Sequence, residues 1–316
     1  MSGAAETVFM TAPRQVLPGR TALITRRIAF GMFLLLPDED VRAIFEYCLA
    51  VAARKYDITV HGWLVMSNHY HLVATDHDGK LPEFLAWFNR MTSRILNKKW
   101  GRCQNLWAAE QPNVVWCVDP QDAFDELLYT YRNPLADDLV DAVAAWPGSN
   151  SFLQGTGSRL ITRPAKFFSK RSKLPKEIEL RTVRIPGFEH LTNEKYDAKV
   201  ARAVRHEERR ARKRRAASGT SVLGREGVLA QRHTDVPKTS LASGGLRPSI
   251  ACKNKKRRIR ALADLLAFRA AHAAALETFR LGDREVVFPA GSYRVRDFGA
   301  ICAQPPLGLV PHDEAA

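Results

Sequence analysis

The sequence lacks any long apolar run. Its longest, Ile28–Leu36, spans nine residues, half of the ~18 uncharged residues that a membrane-crossing helix needs. No transmembrane helix and no membrane partner are therefore expected. Met1–Pro13 carries no basic cluster ahead of an apolar core, so no secretory leader is expected there either. Cysteine is scarce and odd in number: Cys48, Cys103, Cys117, Cys252 and Cys302 form no CxxC pair and no disulfide framework. A reducing, cytoplasmic setting is the expectation that follows. No internal repeat is present.

Apolar material for a core is not lacking. Hydrophobic residues make up 46% and charged residues 26% of the 316 positions, which excludes wholesale disorder. Basic charge is scarce in one half only. Residues 1–150 hold 14 basic and 17 acidic residues, whereas residues 151–316 hold 34 and 16. The formal net charge of +15 thus arises from a first half at −3 and a second half at +18. Such an excess implies a polyanionic partner, and nucleic acid fits better than a membrane because no lipid-binding amphipathic helix is evident.

The periodicity of residues 14–150 changes in a regular order. Arg20–Phe30 reads as a strand. Pro37-Asp38-Glu39-Asp40 opens a helix with acids in its first turn. Ile58–Val65 and His69–Thr75 are β-rich runs joined by Met66-Ser67-Asn68, a hairpin signal. Leu81–Trp100 is helical, with Phe84, Leu85, Phe88, Met91, Ile95 and Leu96 as its apolar stripe. Val114–Val118 reads as a strand and Pro120–Tyr131 as a third helix. The order β-α-β-β-α-β-α predicts an α+β, ferredoxin-like antiparallel sheet with helices on one face. Beyond Trp146 the signals weaken until Lys255–Leu281, which reads as an amphipathic helix containing Ile259, Leu262, Leu265, Leu266, Phe268, Ala275, Leu276 and Phe279. Arg284–Phe288 and Tyr293–Phe298 are expected to pair as a hairpin.

Two groups of residues suit chemistry. His69 and His71 stand at i and i+2 on a predicted strand, so both imidazoles project to one side and can share a metal ion. Tyr129 and Asn133 are an i, i+4 pair on a predicted helix and share a face. A phenol becomes a plausible nucleophile beside a bound cation, and a carboxamide oxygen is a hard ligand suited to Mg²⁺ or Mn²⁺. The plainer alternative is that Tyr129 covers the core while Asn133 ends the helix before Pro134. His61 and His77 are candidates to orient the ligands, or bystanders, and Trp63, Trp87, Trp107 and Trp116 are base-stacking candidates that read more readily as core. The run Arg202–Arg215 places Arg202, Arg205, Arg209, Arg210, Arg212, Lys213, Arg214 and Arg215 in fourteen positions. It reads as a basic nucleic-acid-binding arm, helical or mobile.

MSNHYHLV and the later YxxxNPL, about sixty residues apart, resemble the paired motifs of the HUH single-tyrosine transposases. The nearer likeness is to the branch of REP-associated tyrosine transposases, over about Pro13–Phe152. The resemblance implies a ferredoxin-like HUH palm and a divalent cation, Mg²⁺ or Mn²⁺, on His69, His71 and Asn133. It also implies Tyr129 as the nucleophile that attacks single-stranded or hairpin-forming DNA, leaving a 5′-phosphotyrosine. Ser67 stands where that family has proline, and Ala136-Asp137-Asp138 where it has Arg-Ala-Gly. The arginine expected shortly after Trp107 is absent.

The organisation expected is a catalytic domain over 14–152, a basic, partly disordered linker over 153–254, and a C-terminal helix plus hairpin over 255–303. The function expected is DNA nicking and joining, by a monomer or homodimer. The alternative is a DNA- or RNA-binding protein on the same fold that no longer cuts. An ordinary RRM is disfavoured because His69–Ala74 lacks the aromatic pattern of its central strand. A structural zinc protein is disfavoured because no cysteine stands near His69 at ligand spacing.

Overall fold

The computed structural model describes residues 12–237 and 248–305. The hydrophobic periodicity becomes strand β1 (Arg20–Arg27), helix α1 (Glu39–Tyr56), strands β2 (Ile58–Met66) and β3 (His69–Asp76), helix α2 (Leu81–Trp100), strand β4 (Asn113–Cys117) and helix α3 (Pro120–Ala136). There follow β5 (Gly157–Thr162), β6 (Glu177–Thr182), α4 (Asn193–Ser218), α5 (Gly224–Leu229), β7 (Ile250–Ala251), α6 (Lys255–Arg280), β8 (Val287–Phe288) and β9 (Ile301–Cys302). Among the described residues no helix is long and apolar enough to cross a membrane.

The helix ends follow local chemistry. Asp38 Oδ1 accepts from Val41 N at 2.7 Å to cap α1, and Gly101 at φ +62 closes α2 in the left-handed region. α3 runs through Pro134 instead of stopping at Tyr131. Proline removes the N–H that would bond the carbonyl four residues back. The Asn133 side chain supplies the substitute, donating from Nδ2 to Thr130 O at 3.3 Å and to Tyr129 O at 2.7 Å.

The protein is mixed α+β around a five-stranded mixed sheet in the order β2-β3-β1-β4-β7. The first four strands in that order each run antiparallel to their neighbours, while β7 joins β4 in parallel, Trp116 beside Ile250 and Cys117 beside Ala251. Helices cover both faces, not one. Tyr70, Leu72 and Ala74 of β3 join Ile44, Phe45, Phe84 and Phe88 of α1 and α2. Leu23, Leu64, Val73 and Val115 join Phe124, Leu127 and Leu135 of α3 and Tyr196, Val200 and Val204 of α4. The reason is in β2 and β3, whose residues are buried at nearly every position. Such continuous burial demands two-sided cover.

A β-bulge at His61 sets which face each β2 residue takes. Val60 pairs with Ala74 and Gly62 with Val73, leaving His61 unopposed. Val60 and Trp63 consequently share the α1/α2 face although they are three residues apart. Gly62 lies under α3, and a Cβ there would come within 2.5 Å of Leu127 Cδ1 and of Tyr131 Oη. Gly62→Ala should lower the unfolding free energy by about 1–3 kcal/mol, the usual cost of overpacking. Urea denaturation checks this, with an unchanged m-value.

His61 makes two bonds whose directions are fixed. Its Nδ1 donates to Val183 O at 2.9 Å, so Nε2 must accept from Thr75 Oγ1 at 2.7 Å. Burial drops this imidazole to about 4, against the Val183 bond that favours its charged form. The folded state therefore binds fewer protons than the unfolded chain between pH 6.5 and 4, and stability falls as pH falls through that window. Across the whole window the loss amounts to about 3 kcal/mol. His61→Gln should flatten the pH dependence of stability by about one proton there, read from denaturation at pH 7 and pH 5; parallel curves would contradict the assignment.

The stretch 153–254 is not a linker where it is described. Ile178 and Leu180 of β6 enter the α1/α2 core, and Arg159 of β5 pairs with the buried Glu46 of α1 at 2.5 Å. Arg202–Arg215 lies within α4, not a mobile arm. Tyr196, Val200 and Val204, four residues apart, form a narrow buried stripe that the surrounding charges conceal. The C-terminal hairpin is also corrected: β8 pairs in parallel with β9, Val287 beside Ile301. Arg294–Phe298 instead forms a 3₁₀ turn stopped by Gly299 at φ +76. In α6 the buried stripe is Leu265, Phe268, His272, Ala275 and Phe279, while Ile259, Leu262 and Leu266 are exposed.

Candidate functional site

β3 and α3 bring the two sequence groups together. His69 and His71 project from one face of β3 with ring centroids 4.8 Å apart. The Tyr129 ring on α3 lies 5.4 Å from that of His71, edge to face. Asn133 stands one turn further along α3 and reaches the His71 ring. Its Nδ2 is engaged with the helix carbonyls, so the carboxamide oxygen is the atom left to turn toward that ring. Tyr129 is 38% exposed, whereas Tyr131 is buried and its hydroxyl meets Ser151 Oγ at 3.0 Å. Trp63, Trp87, Trp107 and Trp116 are all buried.

The hydrogen bonds to the imidazoles leave Nε2 of each available. His69 Nδ1 bonds Asn68 Oδ1 at 2.7 Å. That oxygen only accepts, so Nδ1 carries the proton and Nε2 a lone pair. His71 Nδ1 meets Thr25 Oγ1 at 2.9 Å, and its Nε2 is buried with no hydrogen-bond partner. An orphaned buried ring nitrogen is costly, and a cation beside it would satisfy it. Oriented imidazoles with hydrogen-bonded Nδ1 atoms and free Nε2 atoms fit a divalent metal, with the Asn133 oxygen as a third donor. Burial, aided by the Arg27 charge, drops His69 to about 4. Burial and then the neighbouring His69 hold His71 well below the usual imidazole range. Both are therefore neutral near pH 7, the form that binds metal.

Tyr129 is held the other way. Burial and then Glu126 raise its phenol above the ordinary value, against Arg132 and Arg27. The phenol thus stays protonated at neutral pH unless further positive charge arrives. The Arg132 guanidinium lies 5.3 Å from the Tyr129 ring centroid and pairs with Glu207 of α4 at 3.5 Å.

Sequence reasoning missed Arg27, Thr25, Asn68 and Glu126. The register carries the signal for two of them: Thr25 lies opposite His71 and Arg27 opposite His69. Exposed Arg27 therefore sets a cation beside both imidazoles and the phenol. The acidic pair after Asn133 is answered from α4, because Arg214 bonds Asp138 and Arg215 lies 3.5 Å from it. Arg214 also donates to Leu135 O at 3.0 Å, and Arg210 pairs with Glu207 at 3.0 Å. Of the basic run, Arg202, Arg205, Arg209, Arg212 and Lys213 are exposed with their charges turned outward.

A second group of metal-capable atoms, on Asp119, Asp122 and Cys252, lies within 4.8 Å at the start of α3. Three of the four carboxylate oxygens already have partners. Asp119 caps α3 by accepting from Asp122 N at 2.8 Å and faces Arg257 at 3.2 Å. Asp122 accepts from Lys253 N at 2.9 Å.

Neither protein-family models nor curated proteins match the chain. Among solved structures it is similar to a REP-associated tyrosine transposase bound to a REP hairpin, at 17% identity and a TM-score of 0.40, over 46% of this chain and 85% of that one. It is similar to a putative transposase from Deinococcus radiodurans R1, at 16% identity and a TM-score of 0.26, over 34% of this chain and 85% of that one. It is also similar to tRNA(His) guanylyltransferase from Saccharomyces cerevisiae, at 17% identity and a TM-score of 0.29, over 41% of this chain and 64% of that one. Likeness of this degree fixes neither an activity nor a site.

Proposed function

We propose that this chain is a single-tyrosine DNA transposase of the HUH kind, nicking and joining single-stranded or hairpin-forming DNA. The observation that supports it most is the meeting of His69, His71 and Tyr129 on facing elements, with a free Nε2 on each histidine. A divalent cation, Mg²⁺ or Mn²⁺, on His69, His71 and Asn133 would polarise the scissile phosphate and stabilise the charge that develops on it. Arg27 steadies the phosphate from the β1 side. Tyr129 Oη attacks phosphorus, the bond to the 3′ oxygen breaks, and a 5′-phosphotyrosine and a free 3′-hydroxyl result. The phenol proton lost on one side balances the one gained by the leaving oxygen. Glu126, one turn before Tyr129, has its own carboxyl raised by burial and Asp125, which suits it to hold that proton in passing.

The direct test is incubation with a labelled hairpin-forming oligonucleotide and Mn²⁺. The proposal expects a protein–DNA adduct that survives denaturing electrophoresis and disappears with EDTA. Tight binding with no adduct would favour the non-cutting DNA- or RNA-binding protein.

The exposed cations of α4 supply the grip. For single strands each lost phosphate contact reduces the slope of log affinity against log salt by about 0.7. Changing Arg202, Arg205, Arg209 and Arg212 together to Gln should flatten that slope by roughly 3 units. Equal slopes would place the grip elsewhere.

A further inference from the structure

Phe30 breaks two rules at once. At 88% exposure it is the most exposed large apolar side chain among the described residues. Its backbone sits at φ 57, ψ 12, in the left-handed region. The other two non-glycine residues with positive φ, Asp57 and Asp138, are of a type that tolerates it; for a bulky side chain it is an outlier. Nothing local forces a phenylalanine there, since glycine would take the same angles freely. Strain of this kind persists where neighbours over-determine it, and it gathers at functional sites.

The neighbours do hold it. Ile28 N donates to Asn68 O at 2.8 Å, Ala29 N to Leu106 O at 2.9 Å, and Gly31 N to Ile28 O at 3.2 Å. Ile28, Ala29 and Gly31 are buried, so the turn is pinned and the Phe30 ring alone is presented to solvent. The same bonds fix its address. Asn68 orients His69, and Arg27, three residues before Phe30, pairs across the ladder with His69. An exposed ring on a pinned turn therefore stands within ~11 Å of chain from the cation beside both imidazoles.

We propose that Phe30 is a base-stacking platform, receiving a nucleobase that flanks the phosphate bound at His69, His71 and Tyr129. This rests on the reading of the site as one for single-stranded DNA. A flat aromatic face beside a phosphate-binding cation is the pairing that holds single strands, and stacking on it tolerates any base. Strain and exposure are here the cost of presenting the ring, a trade of stability for function.

The test uses the full chain and two fluorescein-labelled 20-mers, oligo(dT) and an abasic strand with the same phosphates. Wild type should prefer oligo(dT). Phe30→Gly should lose roughly tenfold in affinity for oligo(dT) and little for the abasic strand, with the same salt slope on both. Its Tm should stay level or rise, because glycine relieves the strain. Phe30→Trp should keep the preference, and its added indole emission should be quenched by oligo(dT) but not by the abasic strand. Phe30→Gly that keeps the full preference overturns the stacking role. Adduct formation on Tyr129 is scored separately: an adduct with unchanged base preference removes the platform and leaves the nuclease reading standing. Wild type that binds neither strand removes both.

Discussion

Tyr129→Phe should abolish covalent capture of single-stranded DNA while leaving folding and binding nearly unchanged. The substitution deletes one oxygen from a ring that is 38% exposed, and surface changes of that size usually stay within about 0.5 kcal/mol. The ring remains for His71 and for the Arg132 guanidinium. Only the attacking atom is gone, and loss of a nucleophile costs catalysis on the order of 10³-fold or more. Tyr131→Phe is the matched control. It deletes a buried hydroxyl bonded to Ser151 Oγ at 3.0 Å and should cost about 1 kcal/mol of stability while leaving the adduct intact. Denaturing gels and urea titrations on the two variants separate these outcomes. An adduct lost in Tyr131→Phe and kept in Tyr129→Phe would exchange their roles.

His69→Ala and His71→Ala should each reduce cleavage to the level left by EDTA. A site with two imidazoles cannot lose one and keep its geometry. His71 is the more demanding of the two, since it is buried and its Nε2 has no hydrogen-bond partner; part of any loss there is a folding defect. Thr25→Val avoids that difficulty. It leaves the imidazole in place but removes the hydroxyl that meets Nδ1 at 2.9 Å, and such outer partners typically change metal affinity by about 10- to 100-fold. Cleavage measured against Mn²⁺ concentration should therefore shift to higher metal in Thr25→Val and recover at saturation. Cleavage that survives both histidine substitutions would remove the metal from the account.

The segments most legible in the sequence are those whose signal is local. α2 spans Leu81–Trp100, the range its apolar stripe marks, and the hairpin turns at Ser67-Asn68. Helical geometry alone separates Tyr129 from Tyr131, since two residues turn the side chain about 200°. What stayed hidden depends on distant chain. The bulge at His61 is set by its bonds to Thr75 and Val183, not by its neighbours in sequence. β7 reaches β4 across more than a hundred residues. α4 hides a narrow apolar stripe among arginines, so its charge reads as a tail when its core face is what docks it on α3. Arg27 lies far from the motif in sequence and comes beside His69 only through the β1–β3 register.

The most direct measurement is peptide mapping of the adduct. After reaction with a hairpin-forming oligonucleotide and Mn²⁺, nuclease digestion followed by mass spectrometry should find one peptide carrying a nucleotide 5′-phosphate on Tyr129. A nucleotide on Tyr131, on any other residue, or on none while the DNA is nonetheless cut would contradict the account.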